Sequence, residues 1–530
     1  MTYSFARIAR TPGRIVRCHR MRAVMKTSTV LISASIAFAS SAVAQTATAY
    51  CAQYPGTDAS RKLAACFAAL PATGGVADAT GIMGAQTLSF DPFQGVSKPI
   101  QLLLGTASYV FRAGLHLPTQ SQIIGAGMGK TILREADGVS LPIALEIMPD
   151  STGWASSVTL SGFTLDLNGQ NNRGRGQIYA IKMGRIKNAM VKAITVQNSY
   201  GLYQGTSVGL AVNEGFQVTV TQSSFLNLGA FPMNTSADHQ SDAIYAAGDQ
   251  IVVTNNTFDR ITDTAIVTER ATNADVESNL IQNSVQGVAV SAPLPYWITH
   301  DVRVIANRFV GMNHWNGEAI MVWGVDNSAR TGKTTRNVRV ENNTVIGSTQ
   351  GAGILVMGAR NVDLLGNMVD SITGDMHKTF RSGRGIIVMS SDSVTLVRNF
   401  VHKANANGIE VRDSKQITLL DNTVQYSGWT GMLLRNAHGF YLEKNRFNHS
   451  SQLKSGGISG VSIDAVNGTT SDGTLIGNQS ASANSPYGIA VYNGARIQLT
   501  SNDCRGNQHT GIWVNSALPP GSVTLQGNPQ

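Results

Sequence analysis

The sequence predicts an all-β solenoid, a chain wound into stacked parallel coils, and three observations predict it. A phrase of variable, small, aliphatic and free residue recurs as Asp242-Ala243-Ile244-Tyr245, Thr264-Ala265-Ile266-Val267, Glu318-Ala319-Ile320-Met321 and Arg384-Gly385-Ile386-Ile387, and persists to Thr510-Gly511-Ile512-Trp513. A second phrase, apolar-x-apolar-x-x-Asn, follows each copy. Its asparagine returns at Asn256, Asn279, Asn307, Asn343, Asn367, Asn399, Asn422, Asn445, Asn478, Asn502 and Asn528. The central aliphatics from Ile244 to Met432 are spaced 22, 22, 32, 34, 32, 23 and 23 residues apart, a base period with lengthened copies.

Short alternating strands broken by Gly and Asn cannot each bury a face alone, so successive copies must share one core. Stacked copies lie ~4.8 Å apart, which lines equivalent residues into columns. Asparagine, a poor strand former, then has a reason to keep one slot, because its amides can bond the copies above and below. This pattern resembles the right-handed parallel β-helix superfamily of pectate lyases, polygalacturonases, alginate epimerases and phage tailspikes. The resemblance runs from about residue 158 to the C-terminus. It implies a single-stranded right-handed parallel β-helix over residues 123–530 and a carbohydrate-active protein.

Residues 1–44 are basic and acid-free, with Arg7, Arg10, Arg14, Arg17, Arg20, Arg22 and Lys26 ahead of an apolar run from Val30 to Phe38 and the exit Ala42-Val43-Ala44. That reads as a secretory signal, with Met25 a plausible start, and places the protein outside the cell or in the periplasm. The run is too short for a membrane span. Seven of the nine net positive charges lie in this segment, leaving +2 for the rest, so nucleic acid is not an expected partner.

Residues 45–122 read as an N-terminal cap and irregular first turns. Asp58-Ala59-Ser60 caps an amphipathic helix over residues 61–70 that covers the open core with Leu63, Cys66, Phe67 and Leu70. Cys51 and Cys66 are near enough to bridge in an oxidising compartment, whereas Cys504 reads as buried. No Cys or His cluster suggests a transition metal and no nucleotide, flavin or haem motif is present, so no cofactor is expected; calcium held by carboxylates stays open. Gly125-Ala126-Gly127-Met128-Gly129-Lys130 follows a strand but precedes no apolar-periodic helix, and reads as a turn instead of a phosphate loop.

With the central aliphatic inward, the residues one and three positions later point outward and build an exterior sheet suited to a sugar chain. Candidate substrate-binding residues on it are Tyr245, Glu269, Trp323, Glu410, Arg412 and Arg435, with Lys378 on a neighbouring loop. Long copies place extra residues in 293–316, 326–336 and 374–384, where they can wall a groove. The phrases His239-Gln240-Ser241-Asp242 and Thr262-Asp263-Thr264 resemble the paired motifs of polygalacturonases, Asn-Thr-Asp and Asp-Asp, with Asp242 on the first aspartate and Asp263 on the first of the second pair. Thr264 and Gln286 stand where that family has its second aspartate and its histidine, and Arg185-Ile186-Lys187 precedes the aspartates instead of following them.

One coil of separation and one residue of offset put the Asp242 and Asp263 Cα atoms ~6 Å apart. Such carboxylates can divide general-acid work from attack or water activation, with Asp238 and His239 just upstream to tune them. The competing reading makes both aspartates turn residues bonding their own backbone. A second candidate is the middle groove of Glu318, His377, Lys378, Arg381, Arg384, Glu410 and Arg412, where a uronate lyase or epimerase would use Arg384 or Lys378 on the substrate carboxylate and His377 or Arg412 as base. The leading expectation is glycosidic bond cleavage of a polysaccharide, with catalytic candidates Asp242, Asp263, His239, Glu318 and Arg384. Lyase or epimerase action and non-catalytic glycan binding are the alternatives, and the resemblance leaves oligomeric state open.

Overall fold

The computed structural model describes residues 47–172, 178–200, 206–229, 240–312, 314, 317–327, 332–347, 349–375, 377–453, 458–482 and 484–529. Residues 1–44, read from the sequence as a secretory signal, and Asp238, His239 and Trp315 lie outside them.

Each coil has three faces. The first carries the opening phrase, in strands such as Ile320–Gly324, Ile354–Met357, Ile386–Met389 and Ile409–Arg412, with Ile320, Ile354, Ile386, Ile409, Met432 and Val461 in parallel register. The second carries the phrase that ends in asparagine, for example Thr335–Glu341 on Ala359–Leu365. The third is a short strand after the asparagine, as in Thr344–Ile346 on Met368–Ile372. The long strands Tyr179–Lys192, Thr206–Thr221, Gln240–Thr254 and Thr264–Glu277 run through the first two faces without a break.

The small residue of the opening phrase has a steric cause. A Cβ on Gly353, Gly385 or Gly408 would come within 2.4, 2.4 or 2.2 Å of the Cγ1 of Val369, Val401 or Val424, which enter the core from the third face. The aliphatics beside these glycines fill a continuous core that runs the length of the coil.

At the N-terminal end, the helix Ala59–Ala69 begins where the Asp58 carboxylate accepts a hydrogen bond from the Arg61 N–H at 3.0 Å. It buries Leu63, Cys66 and Phe67, stacks Phe67 on Phe93 at 4.9 Å, and is tied down by a Cys51–Cys66 disulfide. Parallel stacking already includes Thr48–Tyr50, Gly75–Ala79 and Ile100–Leu104, so regular coiling starts well before residue 123. The glycine-rich stretch at 125–130 is a turn between Gln122–Ile124 and Thr131–Glu135. The extra residues expected over 293–316 resolve into two loops, 293–298 and 311–319, because Thr299–Ile305 and Arg308–Val310 supply the second and third faces of that coil.

The recurring asparagines form an unbroken amide ladder. Each Nδ2 donates to the Oδ1 of the next, from Asn256 to Asn279 at 3.1 Å through Asn367 to Asn399 at 2.9 Å to Asn502 and Asn528 at 3.1 Å. The same Oδ1 also accepts the backbone N–H of the preceding rung, as Asn399 does from Asn367 at 3.0 Å, and Nδ2 donates backwards to a carbonyl of the coil before. Replacing Asn367 by Leu keeps the branched shape but removes the acceptor of the Asn343 N–H, one of the two acceptors of the Asn343 side-chain amide, and a donor to the Val340 carbonyl. We expect a loss on the order of 3 kcal/mol, read from the denaturant midpoint, with a smaller loss for Asn528→Leu at the ladder's half-exposed last rung.

Candidate functional site

The strands Gln240–Thr254 and Thr264–Glu277 stack in parallel and bring Asp242, Tyr245, Asp263 and Glu269 together on the outside of the first face. Asp242 is 9% exposed and accepts the Thr264 N–H at 3.0 Å, while the N–H of Asp263 donates to the Ser241 carbonyl at 3.2 Å and so sets Asp263 beside it. Burial, then the negative charge of Asp263, with Glu269 adding to it, hold the Asp242 carboxyl well above the usual carboxylate range.

Tyr245 extends this cluster. Its hydroxyl donates to Glu269 at 2.8 Å and accepts from Arg270 at 3.2 Å, and burial with the Glu269 contact pushes the phenol up to about 12. The Arg270 guanidinium lies 4.9 Å over the Trp297 ring, so the 293–298 loop presses an aromatic edge against the site, with Tyr296 exposed next to it. Arg270 and Trp297 were not singled out from the sequence. Arg270 directly follows Glu269, and that neighbourhood was the available signal.

A polar line runs from this cluster across the next coils. Thr264 Oγ1 donates to Gln286 at 3.2 Å, Gln286 Nε2 donates to Glu318 at 3.4 Å, and Arg381 Nη1 donates to the other Glu318 oxygen at 3.2 Å. Glu318 is fully buried, and burial pushes its carboxyl up to about 7 against the opposing pull of Arg381. The middle-groove cations are engaged as well. Arg384 Nε and Asn407 Nδ2 donate to the same Glu410 oxygen, Oε2, at 2.7 and 2.6 Å, Arg412 pairs with Oε1, and Arg435 pairs with Asp464 at 3.0 Å. His377 and Lys378 are exposed on the 374–383 loop, where the His377 ring meets Trp429 edge-on at 6.4 Å. Half-buried His314 has its imidazole pKa lowered by burial.

The outward column one residue after the aliphatic is largely covered. Met321, Leu355, Ile387 and Glu410 are 8%, 0%, 1% and 1% exposed, because loop residues and the neighbouring outward column pack over them. Among the described residues no group of three or more His, Cys, Asp or Glu side chains is arranged to hold a metal, and no helix is long and apolar enough to cross a membrane.

Because Glu318 holds its proton to about pH 7 against an ordinary 4.5, protonation favours the folded chain. That stabilisation is complete below 4.5 and lost as pH rises through 7. Glu135, likewise pushed up to about 7 by burial, behaves the same way. Melting temperature should fall between about pH 5 and pH 8, and Glu318→Gln and Glu135→Gln should each remove up to one proton's share of that slope, about 1.4 kcal/mol per pH unit. A slope unchanged in both variants would contradict the assignment.

Residues 296–471 and 375–528 match the family model described as the right-handed β-helix region. Among solved structures the chain is similar to the A-module of a mannuronan C-5 epimerase of Azotobacter vinelandii, at 14% identity over 91% of this chain and 100% of that one with a TM-score of 0.31. It is also similar to the tailspike protein of an Escherichia coli bacteriophage in complex with a pentasaccharide, at 13% identity over 87% and 75% with a TM-score of 0.48. A third is the catalytic unit of a thermostable α-1,3-glucanase of Streptomyces thermodiastaticus, at 12% over 91% and 69% with a TM-score of 0.42. No curated protein sequence matches.

Proposed function

We propose that this right-handed parallel β-helix binds a polysaccharide along its first face and hydrolyses its glycosidic bonds at Asp242 and Asp263. The observation that carries the reading is the buried, proton-holding Asp242 carboxyl directly beside a second, half-buried aspartate on an outward surface. Asp242 gives its proton to the glycosidic oxygen as the bond from that oxygen to the anomeric carbon breaks, so the leaving sugar departs as an alcohol. Asp263 attacks the anomeric carbon or takes a proton from the water that does. Tyr245, Glu269 and Arg270 form the polar wall beside the reacting bond, and Trp297 supports Arg270.

Elimination or epimerisation of a uronate needs a cation on the substrate carboxylate. Arg384, the cation the sequence offers for that role, is already engaged by the buried Glu410, which favours hydrolysis. The Cys51–Cys66 disulfide supports work outside the reducing cytoplasm, and fractionation of the expressing cells tests it.

The protein lacking residues 1–44 should release reducing ends from a polysaccharide panel without unsaturated-uronate absorbance. Asp242→Asn and Asp263→Asn should each lower the rate by roughly 10² to 10⁴. Activity should be present below the raised pKa of Asp242 and disappear as pH rises through it, since the acid must enter the reaction protonated. Absorbance would move the reading to a lyase, and binding without turnover would make the protein a glycan-binding solenoid.

A further inference from the structure

We propose that the polysaccharide is uncharged where it crosses the middle of the first face. This rests on the reading of that face as the binding surface and adds the class of sugar to it. Three successive coils there present Trp323, Met357 and Met389 in register as half-exposed side chains, packed on Met321, Leu355 and Ile387 beneath them. At ~4.8 Å per coil this is an apolar band on the order of 14 Å long, continuous on one sheet with the strands that carry Asp242 and Asp263.

Each guanidinium that borders the band already has a carboxyl partner within the protein. Glu318 on one side faces Arg381 at 3.2 Å, and on the other Arg384 and Arg412 both pair with Glu410. A uronate carboxylate laid on this band would give up water and meet thioether and indole surface in return, an unpaired desolvated charge. A neutral sugar ring has the matching chemistry, because its C–H face covers Trp323 and the methionines while its hydroxyls stay turned to water. The band lies on the same sheet as the proposed cleavage cluster, with the single coil of Ser291 between Glu269 and Trp323, and this continuity selects a glycan as occupant over a second copy of this chain. Lys378, exposed on the nearby loop, is the cation that a uronate would have to recruit.

The test uses the Asp242→Asn protein, so that binding is read without turnover, with neutral and uronate oligosaccharides of matched length titrated calorimetrically. Neutral chains should bind roughly tenfold or more tighter than uronates, and Trp323→Ala and Met357→Lys should each weaken neutral binding by roughly tenfold. Unchanged melting temperatures would certify the folding of both variants. Uronates binding as tightly as neutral chains, or held through Lys378 as judged by Lys378→Ala, would overturn the inference, as would neutral binding indifferent to both band variants or binding of neither class. Neutral turnover lost in Asp242→Asn but band-independent would leave the cleavage reading standing and sink this one. Band-dependent neutral binding by a wild-type protein that turns nothing over would do the reverse.

Discussion

The asparagine ladder at the corner between the second and third faces holds the molecule in register. The residue before each ladder asparagine turns the chain in the left-handed region, at Ser278 with φ 56°, Arg398 with φ 53° and Asp421 with φ 55°, a conformation that costs a side-chain-bearing residue about 1–2 kcal/mol. The cost is met because the corner's buried N–H groups and carbonyls all find partners in the neighbouring amide. Each coil therefore carries the hydrogen bonds that its neighbour's corner needs, and no corner is complete by itself. A one-residue slip would turn every side chain of the slipped coil to the opposite face and break the ladder at once.

With register held at one corner, the first face becomes a grid in which residues far apart in sequence stand one rung apart. Asp242 and Asp263, or Glu318 and the 374–383 loop, meet for this reason. The polar line through Thr264 and Gln286 is a product of the same grid, since each member is a single coil from the next.

The fold was legible because the periodic features are the ones that stacking enforces. Asn recurs because its amide bonds its own kind, and Gly or Ala recurs before the aliphatic because Val369, Val401 and Val424 leave no room for more. The chain spacing told how many residues a coil had gained but not at which corner, so the 293–316 stretch was taken for one loop when two strands lie within it. The site was legible in its members and not in their state. Glu318, Arg384, Glu410 and Arg412 look from the sequence like charges facing a ligand, and only three-dimensional placement reveals that they answer one another. Arg270 lacked any periodic signal, because its role depends on a tyrosine one coil away and a tryptophan on a loop.

Stacking at ~4.8 Å forces every charge on the grid to be compensated by a neighbour or by a proton, and the two solutions separate structure from chemistry. Glu410 takes the first solution. Lying between Arg384 and Arg412, with Asn407 sharing the oxygen that Arg384 binds, it is 1% exposed and locks three first-face groups in place. Asp242 takes the second: burial and the negative charges of Asp263 and Glu269 raise its carboxyl well above the usual range, which favours its protonated form. A proton held by repulsion and burial is one that can be given to a substrate oxygen when a glycosidic bond is brought to it, which is the chemistry proposed for Asp242. The same stacking geometry thus builds an ion-paired carboxylate cluster at one height of the coil and a buried carboxyl with a raised pKa at another.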